Sequence, residues 1–333
     1  MAGTIDTGPA DYSGLEELPE PVVPALTPLI GRVRSEVVAR RLTAVSPRTT
    51  VAHLALAWGP ALALAVVGVV AREPVVWVVA WSVIAWAMVG NAAIGHEAVH
   101  GHLFASRRWN TLVGTVALVT ILGSFATFRC FHLEHHARTG REGDPERTPL
   151  NFSTRRLYLA VMILGGVLVL FENSAYTLVT IIGRPPRWVR ADRQRRAVRV
   201  NALVLLAVVA GLVAGLVVDP WLVIDVWVVP YLLGVCVVLP VLLVPEHYGA
   251  TGRDGILETT RSIRSNAFVR WAYWNNNFHA AHHLVPAVPY DKIGLVDELL
   301  EEEGMSEPRW RLRSYTQFHL GLLGRLAFNR PEG

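Results

Sequence analysis

Four long, largely apolar runs, Val51 to Ala71, Val75 to Gly95, Val200 to Val218 and Trp221 to Val244, decide most of what this chain can become. Each is close to the roughly 20 residues that cross a hydrocarbon core about 30 Å thick. A segment in lipid must satisfy its own backbone N–H and C=O groups, so each run is predicted to be a membrane-spanning helix. Composition agrees. Of 333 residues, 52% are hydrophobic and 17% charged, and mean hydropathy is +0.36, which excludes an ordinary soluble protein.

The runs come in pairs, joined by the minimal connections Arg72-Glu73-Pro74 and Asp219-Pro220, so the chain reads as two transmembrane hairpins. Arg32, Arg34, Arg40, Arg41 and Arg48 precede the first hairpin, and seven arginines from Arg184 to Arg199 precede the second. Arginine favours the cytoplasmic side of a membrane, so both regions are predicted to be cytoplasmic. Lys292 is the only lysine among 31 basic residues, a usage that fits a GC-rich bacterial genome and an inner-membrane location. The formal charge of +4 follows from topology, and nucleic acid is not an expected partner.

The first thirty residues carry Asp6, Asp11, Glu16, Glu17, Glu20 and five prolines, with no basic start leading into an apolar core. They read as a mobile tail (1–30) rather than a secretory signal. Residues 31–295 then form the membrane domain, and 296–333 a cytoplasmic C-terminal tail. Cys130 and Cys236 are too few for a disulfide framework or a thiolate cage and read as packing residues.

Against this apolar background, eight of the twelve histidines fall in three clusters: His96/His100, His132/His135/His136 and His279/His282/His283. His247 follows Pro245-Glu246 at the end of the last run. Eight or nine imidazoles are about twice what one tetrahedral ion binds, so two metal ions are implied. On a helix, His96 and His100 share a face one turn apart. In the other two clusters the first histidine shares a face with the later two, while the adjacent pair diverges by about 100°, so that pair can serve two neighbouring ions. For His53, His102 and His319 the plainer reading is a satisfied structural histidine, with His102 close enough to the first cluster to support it.

All these ligands must lie on one side of the membrane. Two further apolar stretches, Thr111 to Phe128 and Leu157 to Gly183, would separate the clusters if either crossed fully. Both are therefore expected to be re-entrant or interfacial, the second bent near Gly165-Gly166.

The segments His-Glu-Ala-Val-His-Gly-His from His96, His-Leu-Glu-His-His from His132 and Asn-Phe-His-Ala-Ala-His-His-Leu-Val-Pro from Asn277 resemble the histidine boxes of the membrane fatty acid desaturase superfamily. The resemblance runs from about His96 to Ile293, and Glu246-His247-Tyr248-Gly249 looks like the segment carrying that family's additional histidine. It implies an all-α integral membrane protein with four spans and a cytoplasmic helical cap over a di-iron centre. By position, the iron ligands would be His96, His100, His132, His135, His136, His247, His279, His282 and His283. Dioxygen would be the cosubstrate and a fatty acyl or similar lipophilic chain the substrate. The chain shows no fused haem or iron–sulfur segment, so electrons would come from an external ferredoxin-type carrier and its reductase. Some acyl-CoA desaturases hold a metal-bound water with an asparagine one turn before the extra histidine, where this chain has Leu243.

Metal-bound imidazoles usually donate their second N–H to a carboxylate or carbonyl. Candidates for that support are Glu97, His102, Glu134, Asp144, Glu146, Glu246 and Asn275, with Asn276 and Asn277 nearby. Related enzymes also hydroxylate or form ketones on carotenoids and specialised metabolites, and spacing does not separate these outcomes. His96-Glu97-Ala98-Val99-His100 also fits a zinc metalloprotease motif, but that reading leaves most of the other clustered histidines unexplained. A metal transporter would need ionisable residues along its spans, which are largely free of them.

Overall fold

The computed structural model describes residues 27–146, 154–249, 257, 259–305 and 311–327. Most of the expected 1–30 tail lies outside these residues. Among the described residues, four helices are long and apolar enough to span a membrane: α2 (Pro47–Ala71), α3 (Pro74–His100), α7 (Asp192–Val218) and α8 (Pro220–His247). At about 1.5 Å per residue, even the shortest exceeds the hydrocarbon thickness. Each hairpin turns where a proline opens the second helix, Pro74 or Pro220, because proline pre-sets a helical φ at a position whose N–H needs no partner. The outward faces of α2, α3, α7 and α8 expose Leu56, Leu62, Val66, Val78, Leu203, Leu206, Val213 and Leu232. This apolar belt would be untenable in water, and a bilayer solvates it.

The two hairpins meet where α8 crosses α3. A Cβ on Gly234 would lie 2.4 Å from the Ala85 carbonyl oxygen, so glycine permits this contact between backbones. On either side of Pro230, which lacks an N–H to donate, α8 widens into π-helical turns at Ile224–Val228 and Leu232–Val238.

The stretch Thr111 to Phe128 is no straight crossing. It divides into α4 (Arg107–Thr120) and α5 (Phe125–Arg138), bent by 104°. Leu122 adopts a left-handed φ of 60° at the break, and Ser124 caps α5 by accepting from Thr127 N. Gly114 lets α4 pass close to α3 and α5, since a Cβ there would meet Ala98 at 2.7 Å and Phe125 at 2.5 Å. The bend returns α5 to the end of α3 that carries His96 and His100.

Leu157 to Gly183 lies largely in α6 (Arg155–Ile181), which continues through Gly165-Gly166 without the expected break. Near its start, Tyr158 bonds His319, which bonds the carbonyl of Val241, six residues before His247. Towards its end, Thr177 bonds Thr127, and Tyr176 packs on Trp188 and Phe131 beside His132. Both ends therefore sit beside histidine-bearing helices, and α6 does not carry the chain to the far end of the bundle.

Over the histidine-bearing end sits a cap of α1 (Thr27–Ala39), α9 (Ala267–Ala272), α10 (His279–Leu284), α11 (Ile293–Glu302) and α12 (Tyr315–Ala327). A two-stranded parallel pair, β1 (Ser262–Ile263) and β2 (Arg311–Leu312), ties the C-terminal region to it. Leu29, Ile30, Val33 and Val37 of α1 share a core with Ile293, Val296, Leu299 and Leu300 of α11. Both sequence boundaries therefore shift. The ordered cap begins at least by Leu29, and 296–305 and 311–327 are packed parts of it rather than a tail. The apolar positions 293, 296, 299 and 300 form a helical stripe that needs a partner, and α1 supplies one.

Candidate metal centre

The nine clustered histidines converge from four helices. Ring nitrogens of His96, His100, His132, His136 and His282 lie within 4.8 Å of one another, and those of His135, His247, His279 and His283 form a second such group. Helix geometry accounts for the division. In α5, His132 and His136 point together into the five-histidine group, while His135 points into the other. In α10, His279 and His283 point together into the four-histidine group, and His282 crosses to the five. Each adjacent pair is thus divided between the two groups. His96 and His100 arrive on the last turn of α3, and His247 on the last residue of α8.

Inside the groups, Nε2 atoms face Nε2 atoms. The separations are 3.1 Å for His100–His132, 3.0 Å for His132–His136 and 3.1 Å for His136–His282. In the second group they are 2.8 Å for His247–His279 and 3.0 Å for His279–His283. Where the outward Nδ1 carries the proton, the inward Nε2 presents a bare lone pair. Two lone pairs this close repel unless a cation lies between them. With metal–nitrogen bonds of about 2.0–2.1 Å, right-angle ligands lie roughly 3.0 Å apart and tetrahedral ones roughly 3.4 Å. The observed edges match the right-angle case. The donor set is consistent with a dimetal site, and the five-histidine group holds more donors than the four of a tetrahedral ion.

Outward partners fix the tautomers. His135 Nδ1 meets Asp144 Oδ1 at 2.8 Å, and His247 Nδ1 meets the Thr259 carbonyl at 2.9 Å. His283 Nδ1 meets Thr139 Oγ1 at 3.3 Å, and that hydroxyl donates its own proton to the His135 carbonyl. His279 Nδ1 stands 3.6 Å from Glu246, whose other oxygen accepts from Tyr273. His96 Nδ1 meets Glu97 Oε1 at 2.9 Å, and the second Glu97 oxygen takes His102 Nδ1 at 2.8 Å and Tyr290 N at 3.1 Å. Glu97 is thus engaged behind His96, away from the side where a protease would activate water.

Burial, followed by the charge of neighbouring imidazoles, holds His279, His282 and His283 well below the usual histidine range, which leaves them neutral and able to ligate at pH 7. Burial works against ionisation of Asp144, but its hydrogen bond and charge interaction with His135 win and hold it below the usual carboxylate range.

Two expected supports stand elsewhere. Glu134 points away from the histidines and pairs with Arg138 at 2.6 Å and Arg190 at 2.8 Å, because its position on α5 faces the arginine-rich loop. Asn275 donates to the Tyr290 carbonyl, two steps from His96. With Trp274 it adopts a left-handed φ, and the two turn the chain towards α10. Asn277 donates to the Ile263 carbonyl, and Asn276 bonds through its backbone to Tyr273. His53 stacks on Trp274 and bonds the Trp271 carbonyl, a structural role like that of His319. Sequence reading missed Thr139, the Thr259 carbonyl, Tyr273 and Tyr290. Backbone carbonyls carry no side-chain signature, and a threonine four residues after a histidine is common on any helix.

Residues 73–316 match the sequence profile of a family described as fatty acid desaturase. No curated protein matches the chain significantly.

Proposed function

The chain belongs to the fatty acid desaturase family, and from that premise we propose that it is a di-iron, dioxygen-dependent membrane oxidoreductase that introduces a double bond into a fatty acyl or similar lipophilic chain. The observation that carries this reading is the convergence of nine imidazoles into two adjacent groups at one end of four apolar helices. Two irons held there would supply reduction of dioxygen and removal of hydrogen from an unactivated C–H bond.

The chain's own residues would hold and orient that chemistry. The nine imidazoles would supply the inward nitrogens, and Asp144, Glu97 and Glu246 stand behind three of them. All six residues of α10 are buried, so the cap shields the metal-facing rings from bulk water. A lipophilic chain would enter from the bilayer between the ends of the spans and the cap. The arginine-rich segment before α7 lies at the histidine end, where Arg190 grips Glu134 on the helix carrying His135. This supports a cytoplasmic centre in a bacterial inner membrane, with an acidic ferredoxin-type carrier and its reductase delivering electrons over that surface.

The test combines metal analysis of the detergent-purified protein with lipid profiling of expressing cells. Near two irons per chain together with new double bonds is the expected result. New hydroxyl or keto groups without double bonds would replace desaturation by hydroxylation or ketone formation. Zinc alone after expression in iron-supplemented cells, with no oxidised product, would overturn the reading.

A further inference from the structure

Trp274 and Asn275, just before α10, both hold a left-handed φ, 52° and 53°. That conformation crowds Cβ against the following carbonyl. Asparagine tolerates it, but a bulky tryptophan does not, so the turn persists only where its surroundings impose it.

His53 of α2 supplies the constraint. Its ring stacks on Trp274 with centroids 4.0 Å apart and planes 4° from parallel, and Trp274 is buried. His53 Nε2 donates to the Trp271 carbonyl at 2.9 Å, and the same carbonyl accepts from Trp274 N at 3.1 Å. One imidazole therefore holds both the Trp274 ring and the peptide group behind it. Tyr290 packs against the Trp274 ring at 4.5 Å. Gly90 of α3 leaves room for the turn, since a Cβ there would lie 3.1 Å from the Ala272 carbonyl oxygen.

Two routes lead from this turn to the histidine groups. Along the chain, the Asn275 carbonyl accepts from Phe278 N and the Phe278 carbonyl from His282 N, each at 3.0 Å, so the start of α10 is built on the turn. That helix gives His279 and His283 to one group and His282 to the other. Across the chain, Asn275 Nδ2 donates to the Tyr290 carbonyl at 2.9 Å, and Tyr290 N donates at 3.1 Å to Glu97, the carboxylate behind His96. His53 itself offers no atom to either group.

We propose that His53 is a positioning residue for the metal centre: its ring, stacked on Trp274, holds the left-handed turn that aims α10 and, through Tyr290 and Glu97, His96. The inference rests on the dimetal reading above. It gives the first span, which carries no histidine of either group, a part in setting the geometry of both.

The experiment compares full-length wild type, His53→Ala, His53→Phe and His53→Gln by chelator-competed ferrous ion titration and by the Mössbauer spectrum of the iron-loaded protein, at a temperature where circular dichroism shows the variant folded. In His53→Ala, both irons should bind about tenfold more weakly, as when other groups that orient metal-bound rings are lost, and both spectral components should shift. His53→Phe keeps a ring against Trp274 and should regain most of the affinity, whereas His53→Gln keeps only a donor and should regain less. A folded His53→Ala with two irons of wild-type affinity and an unchanged spectrum would overturn the proposal and leave His53 a role in stability alone. If the alanine variant fails to fold, the other two decide, and equal affinity in His53→Phe and His53→Gln would overturn the stack as the positioning contact. A wild type that binds no iron pair would overturn the dimetal reading, and this inference with it.

Discussion

The histidine boxes of α5 and α10 are nearly the same in sequence and opposite in use. His132-Leu-Glu-His135-His136 gives its one-turn pair to the five-histidine group and sends its middle histidine to the other. His279-Ala-Ala-His282-His283 does the reverse. Each box would therefore anchor one ion of a dimetal site and lend a ligand to the other, coupling the two sites through shared helices. The imbalance of five against four comes from outside the boxes, because α3 ends in two histidines and α8 in one. What stands behind the rings differs as well. Each ring of the four-histidine group faces an outer oxygen, from Asp144, Thr259, Glu246 or Thr139.

The exchanged ligands offer the sharpest way to break this comparison. His135→Ala and His282→Ala should each abolish oxidation, by about three orders of magnitude or more, since the proposed chemistry needs both ions. Metal analysis should separate them. His135→Ala leaves three imidazoles in its group and should lose an iron, whereas His282→Ala leaves four and should retain more. Equal metal loss in the two variants would mean that the groups are equivalent.

A smaller effect is expected from the outer carboxylates. Asp144→Asn should weaken one ion by 10–100-fold, about 1.4–2.7 kcal/mol, because it removes the charged partner of His135. Glu97→Gln should act comparably on the other ion through His96 and keep considerable oxidation when iron is plentiful. Near-total loss of turnover with both irons bound would contradict the position of Glu97 behind its ring.

Acidity probes both groups together. His279, His282 and His283 are held neutral in the folded protein, below the unfolded value of about 6.5. As pH falls below that value, the unfolded chain binds protons that the fold excludes. Stability of the metal-free protein is therefore full above about pH 6.5 and declines below it, by up to about 1.4 kcal/mol per pH unit for each group. Thermal melts of metal-free protein between pH 7.5 and 5.5 should show a falling midpoint, and a flat profile would mean that these rings are already open to water. The smallest change is expected for Glu134→Gln, which should leave iron content unaltered because its partners are arginines.

Much of the site was legible because its spacing is helical. Residues four apart on a helix must share a face, so the pairs His96/His100, His132/His136 and His279/His283 follow from the sequence, as does the divergence of each adjacent pair. Acidic residues gave no such signal. Glu134 sits inside a box yet faces arginines, while Asp144 and Glu146 sit in a loop and reach His135. A loop's direction depends on its anchors, here Gly140 N and the His135 ring, which no local pattern discloses.

The sequence by itself determined four spans and nine converging histidines, because lipid forces long apolar runs into helices and helical periodicity sets which side chains travel together. The tertiary structure alone decided which histidine group each box joins, that α1 and α11 close the cap, and which carboxylate meets which ring. Those outcomes depend on the 104° bend between α4 and α5 and on the backbone contact of α8 with α3 at Gly234, where packing between distant segments, rather than local preference, sets the geometry.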